Sequence, residues 1–442
     1  MVNQAYYTGL SGVMSHQYGM DILSDNLANV NTVGFRGVNS EFADLFSEAV
    51  VSAGKTPTAN DIGVGSRLQA TSTMTQNGSL LGSERFNDLA LGGNGWFGVV
   101  SGDKSYYTRA GNFTFDTLQK TPGEVNSSVA RLTTAQGYFV TGTMLSNYAY
   151  DGGFDYGNNE TGAYLINDPA DDVAFADVNQ QGPLELPTRL AYPVEPTTRA
   201  EFNGNLGGDN VTRSISADVI SPANDINRLK LTFTQSAVQP ATGIAWDVVA
   251  TVTSNDGSTL YDTQAGQAIF DASGRLSSFT VPSVNNDGAA VAIDVGTGFD
   301  GLISINGAEF RGTASADGST GGVLTKYGIN INGVISAEFS NGRQSAIGRV
   351  AVYHFQNDQG LERSGDTLFT QSSNSGNPMF WTDADGNAIT GSAVYSGMLE
   401  NSNVHLDAGL TDMIIMQRAY QANAKTITTV DEMIQKALSM RK

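Results

Sequence analysis

Apolar positions at the two ends of the chain follow a helical rhythm that the middle lacks. Tyr6, Leu10, Val13, Gln17, Met20, Ser24 and Leu27 step alternately by four and three. That spacing makes a heptad seam along one helix face, with two polar interruptions. Asn29-Val30-Asn31-Thr32-Val33-Gly34 follows; Asn and Gly tolerate left-handed backbone and predict the helix end. The C-terminus repeats the rhythm with Leu406, Leu410, Met413, Gln417, Tyr420, Ala424 and Ile427, then Val430, Ile434 and Ala437. Past Leu410 no Pro or Gly interrupts the run to Lys442, which leaves room for roughly nine turns at ~3.6 residues each. A single narrow stripe seeks a partner helix. Each helix could pack on its own domain, but the simplest arrangement pairs the two ends as a coiled coil and projects the middle outward.

Between the ends the pattern is that of short strands. Apolar and β-branched runs recur at 96–100, 105–108, 229–233, 246–253, 289–295 and 349–355, separated by Gly, Asn and Asp clusters such as Asn285-Asn286-Asp287-Gly288. Asn-Gly and Asp-Gly pairs mark hairpin turns, and strands at this spacing predict sandwich-like or barrel-like bodies. The irregular stretch 146–190 reads as the entry into an inserted domain. The predicted fold is multidomain α+β. A terminal helical unit takes 1–37 and 404–442, and connecting segments take 38–84 and 378–403. One β domain takes 85–145 and 326–377, and an inserted outer β domain takes 146–325.

Charge sharpens this division. The net charge is −20, yet residues 1–40 carry −1 and residues 404–442 carry +1, so the acid lies in the middle. Near-neutral ends can pack together while an acidic middle stays solvated. The balance disfavours nucleic acid and anionic lipid as partners. No run of ~18 apolar residues predicts membrane insertion. With no cysteine, disulfides and thiolate metal sites are excluded. The N-terminal MVNQAYYTGLSGVMSH has neither a basic region nor an unbroken apolar core, so no cleaved signal peptide is expected.

The search for chemistry finds decoys. Gly93-Asn94-Gly95-Trp96-Phe97-Gly98 fits a GxGxxG dinucleotide loop, but that site needs a helix after the glycines to meet the pyrophosphate. Here a strand-like run follows. His16, His354 and His405 have no metal-ligand spacing. Asp155, Asp168, Asp171 and Asp172 do not form a calcium loop. No catalytic residue, cofactor site or metal site is expected, and the chain reads as a non-enzyme. From the residues alone, a surface-exposed β-rich adhesin or a glycan-active enzyme are the competing classes. The first would not need the terminal helices, and the second would need a paired-carboxylate cleft.

The terminal strings carry a resemblance. Ser24-Asp25-Asn26-Leu27-Ala28-Asn29-Val30-Asn31-Thr32-Val33-Gly34-Phe35-Arg36, with Phe42 beyond, resembles the N-terminal signature of bacterial flagellar rod and hook axial proteins. Leu399-Glu400-Asn401-Ser402-Asn403-Val404, followed by the run from Met413 to Lys425, resembles their C-terminal signature. The stretches 90–97 and 107–113 match two further family segments, the first of which contains the phosphate-loop decoy. Residues 339–342 and 347–352, and more loosely Trp246, Phe270-Asp271 and Gly274, are similar to hook proteins in particular. A rod or rod–hook variant is the alternative within the family.

The resemblance implies a structural subunit of the hook that polymerises with copies of itself. It implies partners in the rod, the hook cap, the hook–filament junction and the flagellar type III export apparatus, and a place outside the cell. It also nominates assembly residues: Leu10, Leu27, Asn29, Asn31, Gly34 and Phe35 near one end, and Asn403, Leu410, Ile414, Gln417, Arg418, Tyr420 and Asn423 near the other.

Overall fold

The computed structural model describes residues 2–45, 47–49, 61–119, 128–157, 160–307 and 310–440. Two long helices, α1 (Val2–Ala28) and α2 (Leu406–Ser439), bracket a chain otherwise built of strands. They pack antiparallel. A side-chain carbon built on Gly9 would lie 3.0 Å from Ile427, on Gly12 2.7 Å from Asn423, on Gly19 3.3 Å from Met416, and on Gly409 3.1 Å from Leu27. Glycines at the crossing let the two backbones approach closely.

The seam on α2 runs through Gly409, Met413, Met416, Tyr420, Asn423, Ile427, Val430 and Ile434, buried or half-buried at alternating steps of four and three. On α1 the buried line is Gly9, Gly12, Ser15, Gly19 and Asn26, which differs from the expected one. Tyr6, Leu10 and Gln17 of the expected seam are exposed. A hydrophobicity pattern cannot see a seam made of small residues.

The segment after α1 is more than a connector. Val38–Asp44 pairs antiparallel with Ser66–Thr73, with a bulge between Glu41 and Phe42. This ribbon lies along α1. The Ser15 hydroxyl donates to the Ser66 carbonyl at 2.9 Å, and the Phe42 ring packs 6.1 Å from that of His16. The tip of this segment, 50–60, falls outside the described residues.

Two β bodies follow. A sixteen-stranded sheet folds around Phe97, Phe113, Leu132, Val140, Leu184, Ile347 and Val352. A ten-stranded sheet, Arg199–Asn205 through Arg311–Ala316, encloses Phe202, Phe233, Trp246 and Phe270. Strands Tyr148–Gly157, Glu160–Ile166, Leu190–Tyr192 and Gly322–Ile329 belong to the sixteen-stranded sheet. The second sheet therefore spans 199–316, whereas the sequence reading placed an inserted unit at 146–325. Two register breaks in the Asp- and Gly-rich strand 148–157 disrupt its alternation, so it did not read as a strand. At the crossing between bodies, Glu195 bridges to Ser319 and pairs with Arg343 at 2.6 Å.

The returning chain zips onto the outgoing one. Val394–Ser396 pairs with Leu89–Leu91, and Met398–Glu400 with Leu80–Gly82, both antiparallel. The β bodies therefore hang from a stem in which both chain ends run together.

Candidate functional site

The two terminal signatures meet where α1 ends. The last turn of α1 unwinds through Asn29, whose side-chain amide donates to the Asp25 carbonyl at 2.9 Å and whose Oδ1 accepts from Thr32 at 3.1 Å. Asn31 is exposed on this loop. Gly34 then turns the chain with φ +67°, a conformation costly for any residue with a Cβ. A carbon there would lie 2.5 Å from Ala110 Cα and from Arg109 C. Position 34 requires Gly on both counts.

Side-chain amides splice the ends together. Asn26 donates to the Val38 carbonyl at 2.7 Å and accepts from the Val38 amide at 2.8 Å, which fixes the angle at which the ribbon leaves the helix. Asn403 accepts from the Gly37 amide at 2.7 Å and donates to the carbonyls of Met74 at 3.0 Å and Gln76 at 2.8 Å. Phe35 is buried under the guanidinium of Arg363, 5.1 Å from the ring centre.

At the centre lies a buried ionic node. Glu400 is 1% exposed and sits between two arginines, each 3% exposed. Arg36 Nη2 lies 2.9 Å from Glu400 Oε1, and Arg109 Nη1 lies 3.2 Å from Oε2. The Gly78 amide donates to Oε1 at 2.9 Å, and the Gly34 amide donates to the Glu400 carbonyl at 2.7 Å. Arg36 also donates to the Gln76 carbonyl and to Asn77 Oδ1, and Arg109 to the Gly93 carbonyl at 2.7 Å. Trp96 stacks near Arg109, 5.7 Å from ring centre to guanidinium, and donates to Asp358 at 3.3 Å.

Burial lowers the pKa of Arg36, opposed by Glu400 and Asp358. It brings that of Arg109 down to about 10, with the Arg36 charge adding to burial and Glu400 opposing it. Both guanidiniums stay charged near neutral pH. A buried pair of this kind contributes little net stability beside an apolar substitute, but removing one partner costs about 3–5 kcal/mol.

The nominated residues fall into two groups. Gly34, Phe35 and Asn403 belong to this junction within one chain, as does Leu27 against Gly409. Leu10 is 37% exposed, Leu410 46% and Ile414 58%, and they lie on helix faces turned away from the α1–α2 seam. Gln417 and Arg418 are exposed beside them, while Tyr420 and Asn423 sit in the seam. Tyr7, Met14 and Tyr18 extend the open apolar stripe of α1, and Ile415 and Met433 widen that of α2.

The sequence reading missed Arg36, Arg109 and Glu400 as a unit. A signal was present: Glu400 is the only Asp, Glu, Lys or Arg between Asp385 and Asp407, and Arg109 the only one between Lys104 and Asp116. Lone charges inside otherwise uncharged signatures point to pairing with each other.

Among the described residues no group of three or more His, Asp or Glu could hold a metal. Among the described residues no helix is long and apolar enough to cross a membrane. The phosphate-loop decoy is a turn leading into strand Trp96–Ser101, and its Gly93 carbonyl is taken by Arg109.

A helical stem made of both chain ends, spliced by a buried node and carrying β bodies beyond it, is the architecture of an axial structural protein. Comparison with known proteins agrees. Residues 7–36 match the family described as flagella basal body rod protein, and residues 395–440 match the C-terminal family of flagellar basal body rod FlgEFG proteins. The flagellar hook protein FlgE of Borreliella burgdorferi is 26% identical, covering 99% of each chain. That of Treponema pallidum is 28% identical, covering 99% of this chain and 100% of its own. That of Escherichia coli is 25% identical over the same shares. The solved structure of Helicobacter pylori flagellar hook protein FlgE2 overlays with a TM-score of 0.48 at 16% identity, covering 72% of this chain and 100% of that one. The two ends of the chain thus match families of flagellar rod and hook proteins, and along its whole length the chain is similar to flagellar hook proteins.

Proposed function

We propose that the chain polymerises head to tail into the curved tube of the hook and works there as the flexible joint that passes motor torque to the filament. The observation that carries this reading is the open apolar stripe on the stem: Tyr7, Leu10, Met14 and Tyr18 on α1, with Leu410, Ile414 and Ile415 on α2. A lone helix pair exposing this many large apolar side chains is incompletely buried and gains its remaining core from neighbours. Repeating one such contact head to tail generates an open helical polymer. The stems would form the inner wall and the β bodies the outer layers. Polar sheet faces, such as that of Ser214, Ser216, Lys230, Thr232 and Thr251 on the ten-stranded body, suit outer contacts that must slide as the tube bends.

The domain division that goes with this role is a stem of 1–37 and 404–442, linking segments of 38–84 and 378–403, an inner β body, and an outer one confined to 199–316. Rod, hook cap, hook–filament junction and export apparatus are the proposed partners, and the outside of the cell the proposed location. Purified chain tested for polymerisation by electron microscopy decides the reading. Tubes whose formation is lost on Leu410→Ser/Ile414→Ser support it. A chain that stays monomeric at every concentration, or a double variant that polymerises like the parent, opposes it.

A further inference from the structure

We infer that Glu400 is a positioning residue whose charge, delivered by the C-terminal strand, locks the N-terminal loop onto the inner β body, so that the two chain ends order together or not at all. The loop 29–37 touches the β body at Gly34, against the backbone of Arg109 and Ala110, and at Phe35, under Arg363, which also donates to the Arg36 carbonyl. On one side a cleft of about 520 Å³ opens between Asn29, Thr32 and the turn at Asp366 and Thr367. On the other side a cleft of about 220 Å³ opens between Arg36, Thr73, Asn94 and Asp358. Between these clefts the charged part of the join is the node. Arg36 comes from the loop, Arg109 from the β body, and Glu400 from neither.

Without Glu400 in place, docking the loop would bring two buried guanidiniums together with only Asp358, held by Trp96, to balance them. Like charges brought together in a low-dielectric site repel strongly. The loop is then better left undocked. The Glu400 carbonyl also accepts from Gly34, and its Oε1 from Gly78, so one residue closes ring and backbone at once. The segment that carries it is anchored only after its own strands, Val394–Ser396 and Met398–Glu400, have zipped onto the outgoing chain. The node thus makes completion of the C-terminal end a precondition for fixing the N-terminal helix in direction. This is independent of the polymerisation reading, because it concerns one chain.

The test is amide hydrogen exchange on the monomeric full-length chain, comparing parent, Glu400→Gln and Glu400→Gln/Arg109→Gln. The amides of Gly34, Gly37 and Val38 report the dock, and those of 199–316 report that the fold persists. Glu400→Gln keeps the shape and removes the charge, and should speed exchange at the three docking amides by about a hundredfold with 199–316 unchanged. The double variant, which replaces the ion pair with two neutral amides, should recover most of that protection, a result that loss of packing alone would not give. Exchange within about twofold of the parent in Glu400→Gln, or no recovery in the double variant, overturns the inference.

Discussion

Replacing Gly34 with Ala asks the most of the junction for the smallest chemical change. The new residue must adopt φ +67°, which costs about 1–2 kcal/mol for an L side chain. Reduced freedom of the unfolded chain returns about 0.4–1 kcal/mol. The larger cost is contact. The methyl would sit 2.5 Å from Ala110 Cα and Arg109 C, where ordinary contact is 3.4–4 Å. Its neighbours are backbone, so no rotamer relieves it, and the loop must retreat by about 1 Å. That retreat stretches the 2.7 Å bond from the Gly34 amide to the Glu400 carbonyl. Leaving such buried groups unpaired costs about 1–3 kcal/mol. The net destabilisation is about 1–5 kcal/mol, borne by the stem and inner β body.

Calorimetry should show the transition of that unit falling by roughly 2–20 °C, at about 2–4 °C per kcal/mol. The transition of the ten-stranded body should hold still, followed through Trp246 in a Trp96→Phe/Trp381→Phe background. A shift of the first transition below about 2 °C would refute the claim that Gly34 is fixed by backbone on both counts. An equal shift in both transitions would refute the claim that the two bodies answer separately.

Three further outcomes are expected. Leu410→Ser/Ile414→Ser removes exposed apolar surface outside the α1–α2 seam, so the monomer should melt close to the parent while the concentration needed for polymerisation rises about tenfold or more; light scattering during seeded growth reads this. Ile414→Pro should cost the α2 helix ~3 kcal/mol or more and abolish polymerisation, with the β signal in circular dichroism unchanged; normal tubes from this variant would rule out the stem as the polymerising element. Burial raises the pKa of Tyr353 to about 12 from 10.0, with the Thr141 hydroxyl opposing. The folded chain therefore holds that proton where the unfolded chain loses it. The stabilisation is complete below pH ~10, fades as pH rises toward ~12, and amounts to up to about 2.7 kcal/mol. Tyr353→Phe should flatten the loss of stability over that window, read from tyrosinate absorbance and alkaline unfolding midpoints.

The strands of the bodies were legible wherever alternation was clean. The apolar run 246–253 lies within strand Ile244–Ser254, and 229–233 within Ile226–Gln235. The helices and their pairing could be read from heptad steps, and α2 keeps Met413, Tyr420, Ile427, Val430 and Ile434 in its seam as the pattern implied. The α1 face was misread because its inner line is Gly9, Gly12, Ser15 and Gly19, and glycine carries no hydrophobic signal. Tyr7, Leu10, Met14 and Tyr18 of the same helix instead point outward. The node was invisible for a different reason. Arg36, Arg109 and Glu400 are far apart in sequence and meet only through the return of the chain, a relation that periodicity does not encode. The edge strand of the sixteen-stranded sheet was missed for a third reason, the register breaks between Asp151 and Gly157 that disrupt its alternation.

The central claim is that this chain forms the hook. Antibody against the fragment 199–316, gold-labelled on isolated flagella, tests it most directly under the electron microscope. Label along the short curved segment between cell and filament is the predicted result. Label confined to the straight rod or to a band at its tip would contradict the hook assignment while keeping the family, and flagella without label would contradict the account as a whole.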